Sequence, residues 1–160
     1  MKSKYLILSY TNLFKTFLIS LILVVLNIIF SYLLLKFGSS SMINLQKFDL
    51  KKHEFIEVVF IAPIIETIIF QYLIINQVYL SYKGKNIRIL AIIISSLTFG
   101  LTHLYNIKYF LFGIIFGFIL ATSFCNFKEK TNYLSAIFYV FLIHSLSNLY
   151  VFLIKTFSLL

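Results

Sequence analysis

The sequence is short of almost everything a water-soluble domain relies on. Only 12% of its 160 residues are charged, where soluble domains average roughly 25%. Hydrophobic residues make up 61%, and the mean hydropathy is +0.97. That leaves too little polar surface to face water on all sides, which excludes a soluble globular fold. There is one cysteine, Cys125, so no intrachain disulfide, CxxC redox pair or thiolate zinc cluster can form. Negative charge is scarce as well: five acidic residues stand against fourteen Lys and Arg, a formal charge of +9. Such an excess can signal nucleic acid, but here the bases fall singly or in small groups between apolar blocks rather than along one stripe. This is how lysines flank membrane spans, so the expected partner is a lipid bilayer and nucleic acid is excluded. The one proline, Pro63, is the only helix-break signal inside an apolar block.

What the chain has in quantity is apolar length. Five blocks can be read, about Phe17 to Leu35, Phe55 to Leu80, Ile89 to Leu104, Tyr109 to Phe124 and Tyr133 to Ile154. A spanning helix needs about 20 residues, within a range of roughly 17 to 25. The first, second and fifth blocks meet this alone. The third and fourth are separated only by Tyr105-Asn106-Ile107-Lys108 and gain length if the ends of that turn are helical. Membrane barrels would show alternating segments of about ten residues, and these blocks do not alternate. The expected fold is therefore all-α, a polytopic transmembrane bundle of about five helices, in an integral membrane protein. The first block follows Lys2, Lys4 and Lys15 like a secretory signal. Its core is too long for one, and no small-residue cleavage site follows Lys36 to Ser41, so it reads as a retained anchor. Residues 1–54 form this anchor and a basic juxtamembrane loop, with 36–54 either an interfacial helix or a plain loop. Residues 55–154 form the core. Gly113, Gly117 and Ala121 repeat every four residues, a stripe that lets another helix approach closely. This predicts a fourth helix wedged inside the bundle.

Against this background three ionisable residues stand out: Glu66, His103 and His144 each lie within an apolar block. Such groups cost roughly 2.5 to 3.5 kcal/mol each on insertion scales, so they normally face a protein interior or a wet cavity. Phe99 and His103 are four residues apart, as are His144 and Asn148, and each pair shares a helix face. Glu57 and Glu66 are nine apart. At about 100° per residue they point to opposite faces, so Glu57 is expected to snorkel at the interface. Glu66 lies about ten residues inside its block while His103 lies near the end of its own. They can share a depth only if the second helix starts above the membrane surface or the third continues through its turn. His53-Glu54-Phe55-Ile56-Glu57 opens like the zinc motif H-E-x-x-H, but glutamate stands where the second histidine is required. It reads as a juxtamembrane charged cluster.

Peptide hydrolysis needs an activated water, a proton shuttle to the leaving amine and donors to the tetrahedral oxyanion. Glu66 with His103 makes a water-activating couple, and His144 and Asn148 can donate to the oxyanion. Alternatively Glu66, His103 and His144 hold a divalent metal such as zinc with an open position for water. Ser145 and Ser147 lack a nearby acid, so no serine protease is read. A reading from another class is a non-catalytic membrane protein, a partner-binding subunit or small transporter component, that uses these groups as proton or helix contacts.

The order and spacing of Glu66, Phe99-x-x-x-His103 and His144-x-x-x-Asn148 resembles the CPBP family of intramembrane endopeptidases, which includes the CAAX prenyl endopeptidases and the bacterial Abi and bacteriocin self-immunity proteins. The resemblance covers about residues 55 to 154. It implies an intramembrane hydrolase acting on peptide or protein substrates in or at the membrane, in a peptide-processing or bacteriocin-immunity role. It implies that Glu66 and His103 activate water, with His144 and Asn148 at the oxyanion. The chain departs from the family pattern at Thr67, where the family has a second glutamate, and at Gln71, where it has arginine. A catalytically degenerate member would show such losses, and they are coherent with each other because they remove both halves of a charged pair.

Overall fold

The computed structural model describes residues 10–37, 55–104 and 107–157. The interfacial-helix reading of 36–54 falls almost wholly outside these residues, as do His53, Glu54, Tyr105 and Asn106. Among the described residues there are helices and short turns and no strand. The helices are α1 (Tyr10–Phe37), α2 (Glu57–Ser81), α3 (Ile87–Leu101), α4 (Ile107–Lys130) and α5 (Tyr133–Phe157). Each expected apolar block holds one of them. Four are long and apolar enough to cross a membrane. The fourth block gains length at both ends, as its turn allows. The third stops at Leu101, three residues short of its expected end, and its fifteen residues cover only about 22 Å at 1.5 Å per residue. Helix α3 thus ends before His103, which sits on a tight bend made by Thr102 N–H to Phe99 O and His103 N–H to Gly100 O.

Helix α2 is not a plain α-helix. Residues Glu57–Ile61 and Thr67–Ile74 are wound as π-helix, on either side of an α-helical turn at Ala62–Glu66. Within the first π segment, Ala62 N–H bonds to Glu57 O, five residues back. Pro63 is the local cause. It lacks an N–H, and its ring crowds the carbonyl four residues earlier, so the turn before it opens. Opened turns have a packing consequence. From Val59 to Ile75 the buried positions of α2 are Val59, Pro63, Thr67, Gln71 and Ile75, one every four residues, and Val78 follows in the α-helical end. In an α-helix a four-residue step drifts about 40° around the axis, and the stripe would wind off the interface. Wider turns absorb that drift and keep all five against the bundle.

The core is one cluster drawn from every helix, with Leu23, Ile75, Phe99, Leu120, Phe124, Tyr139, Val140 and Ile143 among its buried members. Helix α1 lays Asn12, Thr16, Ser20 and Leu23 inward and packs mainly on α5. The hydroxyls of Thr16 and Ser20 donate to carbonyls of their own helix, Asn12 O at 2.9 Å and Ser20 to Thr16 O at 2.8 Å, so no donor is orphaned. Helices α3 and α4 share the most extensive contact among the described helices, and glycine is why. A Cβ on Gly113 would lie 3.2 Å from both Gly100 Cα and His103 Cβ, and one on Gly117 would lie 3.0 Å from Phe99 Cβ. The expected small-residue stripe is thus found, buried throughout, and its neighbours are the residues of the site.

The opposite end of the bundle is held by charge. Arg88 at the start of α3 donates to both carboxylate oxygens of Glu129 at 2.6 and 2.7 Å and to Asn126 Oδ1 at 2.7 Å. Lys128 lies over the rings of Tyr79 and Tyr133. Helix α5 is capped by Asn132, whose Oδ1 accepts from Ser135 N–H at 2.9 Å, a standard use of asparagine at an N-cap.

Candidate active site

The residues singled out by sequence come from two helices and the bend after α3. Glu66 ends the α-helical turn of α2, His103 lies on the bend after α3, and His144 and Asn148 share a face of α5. Glu66 is part-buried and His144 is buried, with His144 Nε2 3.5 Å from Glu66 Oε2. That is longer than a formed hydrogen bond and within reach of one after a small closure. Glu57, by contrast, is exposed, as its opposite facing requires.

Phe99 organises the two histidines. His103 stacks on its ring with centroids 4.9 Å apart, and His144 meets it edge-on at 5.7 Å. Phe70 and Phe116 pack against the same ring at 5.5 and 5.9 Å, and Phe116 also contacts His144 at 5.2 Å. Both imidazoles are thus fixed by aromatic walls with little room to turn. The glycines at 113 and 117 allow this, because side chains there would press on His103 and on Phe99.

Hydrogen bonding assigns the histidine tautomers. Thr102 Oγ1 donates to Phe99 O at 2.7 Å, so its lone pairs face His103 Nδ1 at 3.0 Å, and Nδ1 also lies 3.1 Å from Phe99 O. Two acceptors around Nδ1 place the hydrogen there and leave Nε2 as the basic nitrogen. In His144, Nδ1 is buried with no partner among the described residues, while Nε2 faces Glu66. A hydrogen on Nε2 points at the Glu66 carboxylate and leaves a lone pair, the cheaper group to bury, on Nδ1. The site therefore presents one imidazole that accepts and one that donates.

Asn148 is engaged at one end. Its Nδ2 donates to Val58 O at 2.9 Å, and Ser145 Oγ, on the same helix, donates to Val59 O at 2.7 Å. Sequence reasoning passed over Ser145. Thr67 and Gln71 are completely buried, and Thr67 Oγ1 and both amide atoms of Gln71 have no partner among the described residues. Among the described residues no three His, Cys, Asp or Glu side chains converge to hold a metal ion.

Comparison with known proteins adds one finding. The family model for type II CAAX prenyl endopeptidase Rce1-like proteins matches residues 53–150, which contain Glu66, Phe99, His103, His144 and Asn148. No curated protein and no solved structure matches the chain. A match over more than half of the chain shows the family, and the protein belongs to the Rce1-like type II CAAX prenyl endopeptidases.

Proposed function

We propose that this Rce1-like chain hydrolyses peptide bonds of membrane-associated substrates, with Glu66, His103, His144 and Asn148 as the reacting groups and residues 55–154 as the catalytic core. The observation that carries the reading is the approach of His144 Nε2 to Glu66 Oε2 at 3.5 Å, beside a ring shared with His103, inside an apolar bundle. Four ionisable or amide groups held this way are costly in hydrocarbon, and a bundle needing only helix contacts would pair them fully.

The chemistry follows from donor and acceptor roles. A water between Glu66 and His103 Nε2 gives up a proton to Glu66 as its oxygen adds to the scissile carbonyl carbon. The carbonyl oxygen, now anionic, takes hydrogen bonds from His144 Nε2–H and from the second N–H of Asn148, the first being held by Val58 O. Preorganised donors of this kind are worth roughly 10²–10³-fold each. When the C–N bond breaks, Glu66 returns the proton to the leaving amine. The balance is one water consumed, one carboxyl and one amine formed. No side chain is acylated, because Ser145 spends its hydrogen on Val59 O and Ser147 spends its own on Ile143 O. Peptide processing or bacteriocin self-immunity is the physiological role proposed for this activity.

A direct test uses a prenylated peptide ending in a C-a-a-X sequence, hydrolysed by purified protein in lipid. Wild-type protein in ¹⁸O water is expected to place one label in the new carboxylate, and added hydroxylamine to trap no acyl product. Trapping of a hydroxamate would point to a covalent intermediate and overturn the water-attack scheme.

A further inference from the structure

The break in α2 leaves a debt that α5 settles. Pro63 carries no N–H, so the carbonyl it would have engaged loses its donor: Val59 O in an α turn, Val58 O in a π turn. These are the two carbonyls that receive side chains from α5, Ser145 Oγ on Val59 O at 2.7 Å and Asn148 Nδ2 on Val58 O at 2.9 Å. Ser145 and Val59 are buried, and Pro63 faces the same interior.

Most hydroxyls in this bundle do something else. Those of Thr16, Ser20, Ser96, Thr98, Ser123, Ser147 and Thr156 donate to a carbonyl four residues back in their own helix, the habitual bond of Ser and Thr in such helices. Ser145 instead reaches across to another helix, as Ser95 of α3 does to Phe70 O, and Ser145 does so beside the proline. The single turn from Pro63 to Glu66 follows the captured carbonyls directly, and its last residue faces His144, one position before Ser145 on α5. Ser145 and His144 thus hold successive points of α2 from successive positions of one helix.

Resting on the proposed hydrolytic role of Glu66, we propose that Ser145 is a positioning residue: with Asn148 it holds the two successive carbonyls, Val59 O and Val58 O, between which Pro63 leaves one without its backbone donor, and so fixes the Pro63–Glu66 turn against His144. Asn148 shares the task at Val58 and is thereby held with its second N–H turned to the site.

The test couples Ser145 to Pro63. Full-length protein in lipid nanodiscs is compared as wild type, Ser145→Ala, Ser145→Thr, Pro63→Ala and Pro63→Ala with Ser145→Ala. Backbone hydrogen exchange over residues 57–67 and the kinetics of peptide cleavage are read for each. The loss of one such bond corresponds to a factor of about 2 to 12. Ser145→Ala is expected to speed exchange of this segment by that factor and to lower kcat comparably with KM unchanged, while Ser145→Thr, which keeps the hydroxyl, restores both. In the Pro63→Ala background, where an N–H returns to the turn, Ser145→Ala is expected to add no further exchange. An equal effect of Ser145→Ala in both backgrounds, or a threonine variant no better than alanine, overturns the proposal. Exchange that follows the expected pattern in a chain that cleaves no peptide upholds the latch and refutes only the hydrolytic reading.

Discussion

His144 Nε2 and Glu66 Oε2 stand 3.5 Å apart across the α2–α5 interface, the imidazole buried and the carboxylate part-buried. The pair is close enough to act together and loose enough to admit a substrate carbonyl beside it. His144→Phe keeps the aromatic wall formed with Phe99 and Phe116 and removes only the donor. Cleavage is expected to fall about 10²-fold or more, with thermal unfolding in detergent near that of the wild type. A variant that cleaves normally would remove His144 from the oxyanion.

Gly117 sits 3.0 Å, measured from the Cβ it lacks, from Phe99 Cβ. Gly117→Ala should push aside the ring on which both histidines rest, at a cost of about 1–3 kcal/mol, and lower activity more than the lost stability alone explains. Gly84→Ala is the control, since its added Cβ meets nothing within 4 Å, and both activity and unfolding temperature should hold.

Thr67 and Gln71 bury polar atoms that have no partner among the described residues. Replacing an unpartnered polar group by an apolar one of similar shape is close to neutral or stabilising. Thr67→Val and Gln71→Met are therefore expected to retain most activity and to unfold at the same or a higher temperature. Losses as deep as that of Glu66→Gln would show that the two residues take part in the chemistry.

Asn148 uses an N–H that aspartate does not have. Asn148→Asp sets a carboxylate against Val58 O, where Nδ2 now donates, and removes the oxyanion donor as well. Cleavage is expected to drop about 10²-fold with a measurable loss of stability, whereas Asn148→Gln should lose activity and keep more of the fold. Wild-type behaviour of the aspartate variant would contradict both assigned bonds.

Chelation follows from the ligand geometry. With no three of the described His, Cys, Asp and Glu side chains converging, 1,10-phenanthroline is expected to leave the cleavage rate unchanged. Inhibition reversed by added zinc would favour the metal arrangement of Glu66, His103 and His144.

The bundle was legible in the sequence because apolar length is written residue by residue: each of the five expected blocks holds one helix, and the stripe at Gly113, Gly117 and Ala121 is buried as expected. The end of α3 was not, because the bend at His103 depends on hydrogen bonds to Phe99 and Gly100 that leave no mark in hydropathy. The π winding of α2 was equally hidden. Pro63 announced a break, but which carbonyls opened and what closed them are tertiary facts. Ser145 shows the limit most plainly: by sequence it is one more hydroxyl in an apolar helix, like Ser147 two residues on, and only the neighbouring helix distinguishes them. The grouping of Glu66 with His144 was foreshadowed by their burial cost in hydrocarbon, while the tautomers of the two histidines required Thr102 and the Phe99 carbonyl to be in place.

The most direct test of the central claim compares the termini of membrane proteins in cells expressing the wild type with those in cells expressing Glu66→Gln at equal level, by mass spectrometry of new N- and C-terminal peptides. The account predicts a set of cleavage sites at membrane-associated segments that is present with the wild type and absent with Glu66→Gln. Identical sets of termini in the two populations would contradict it.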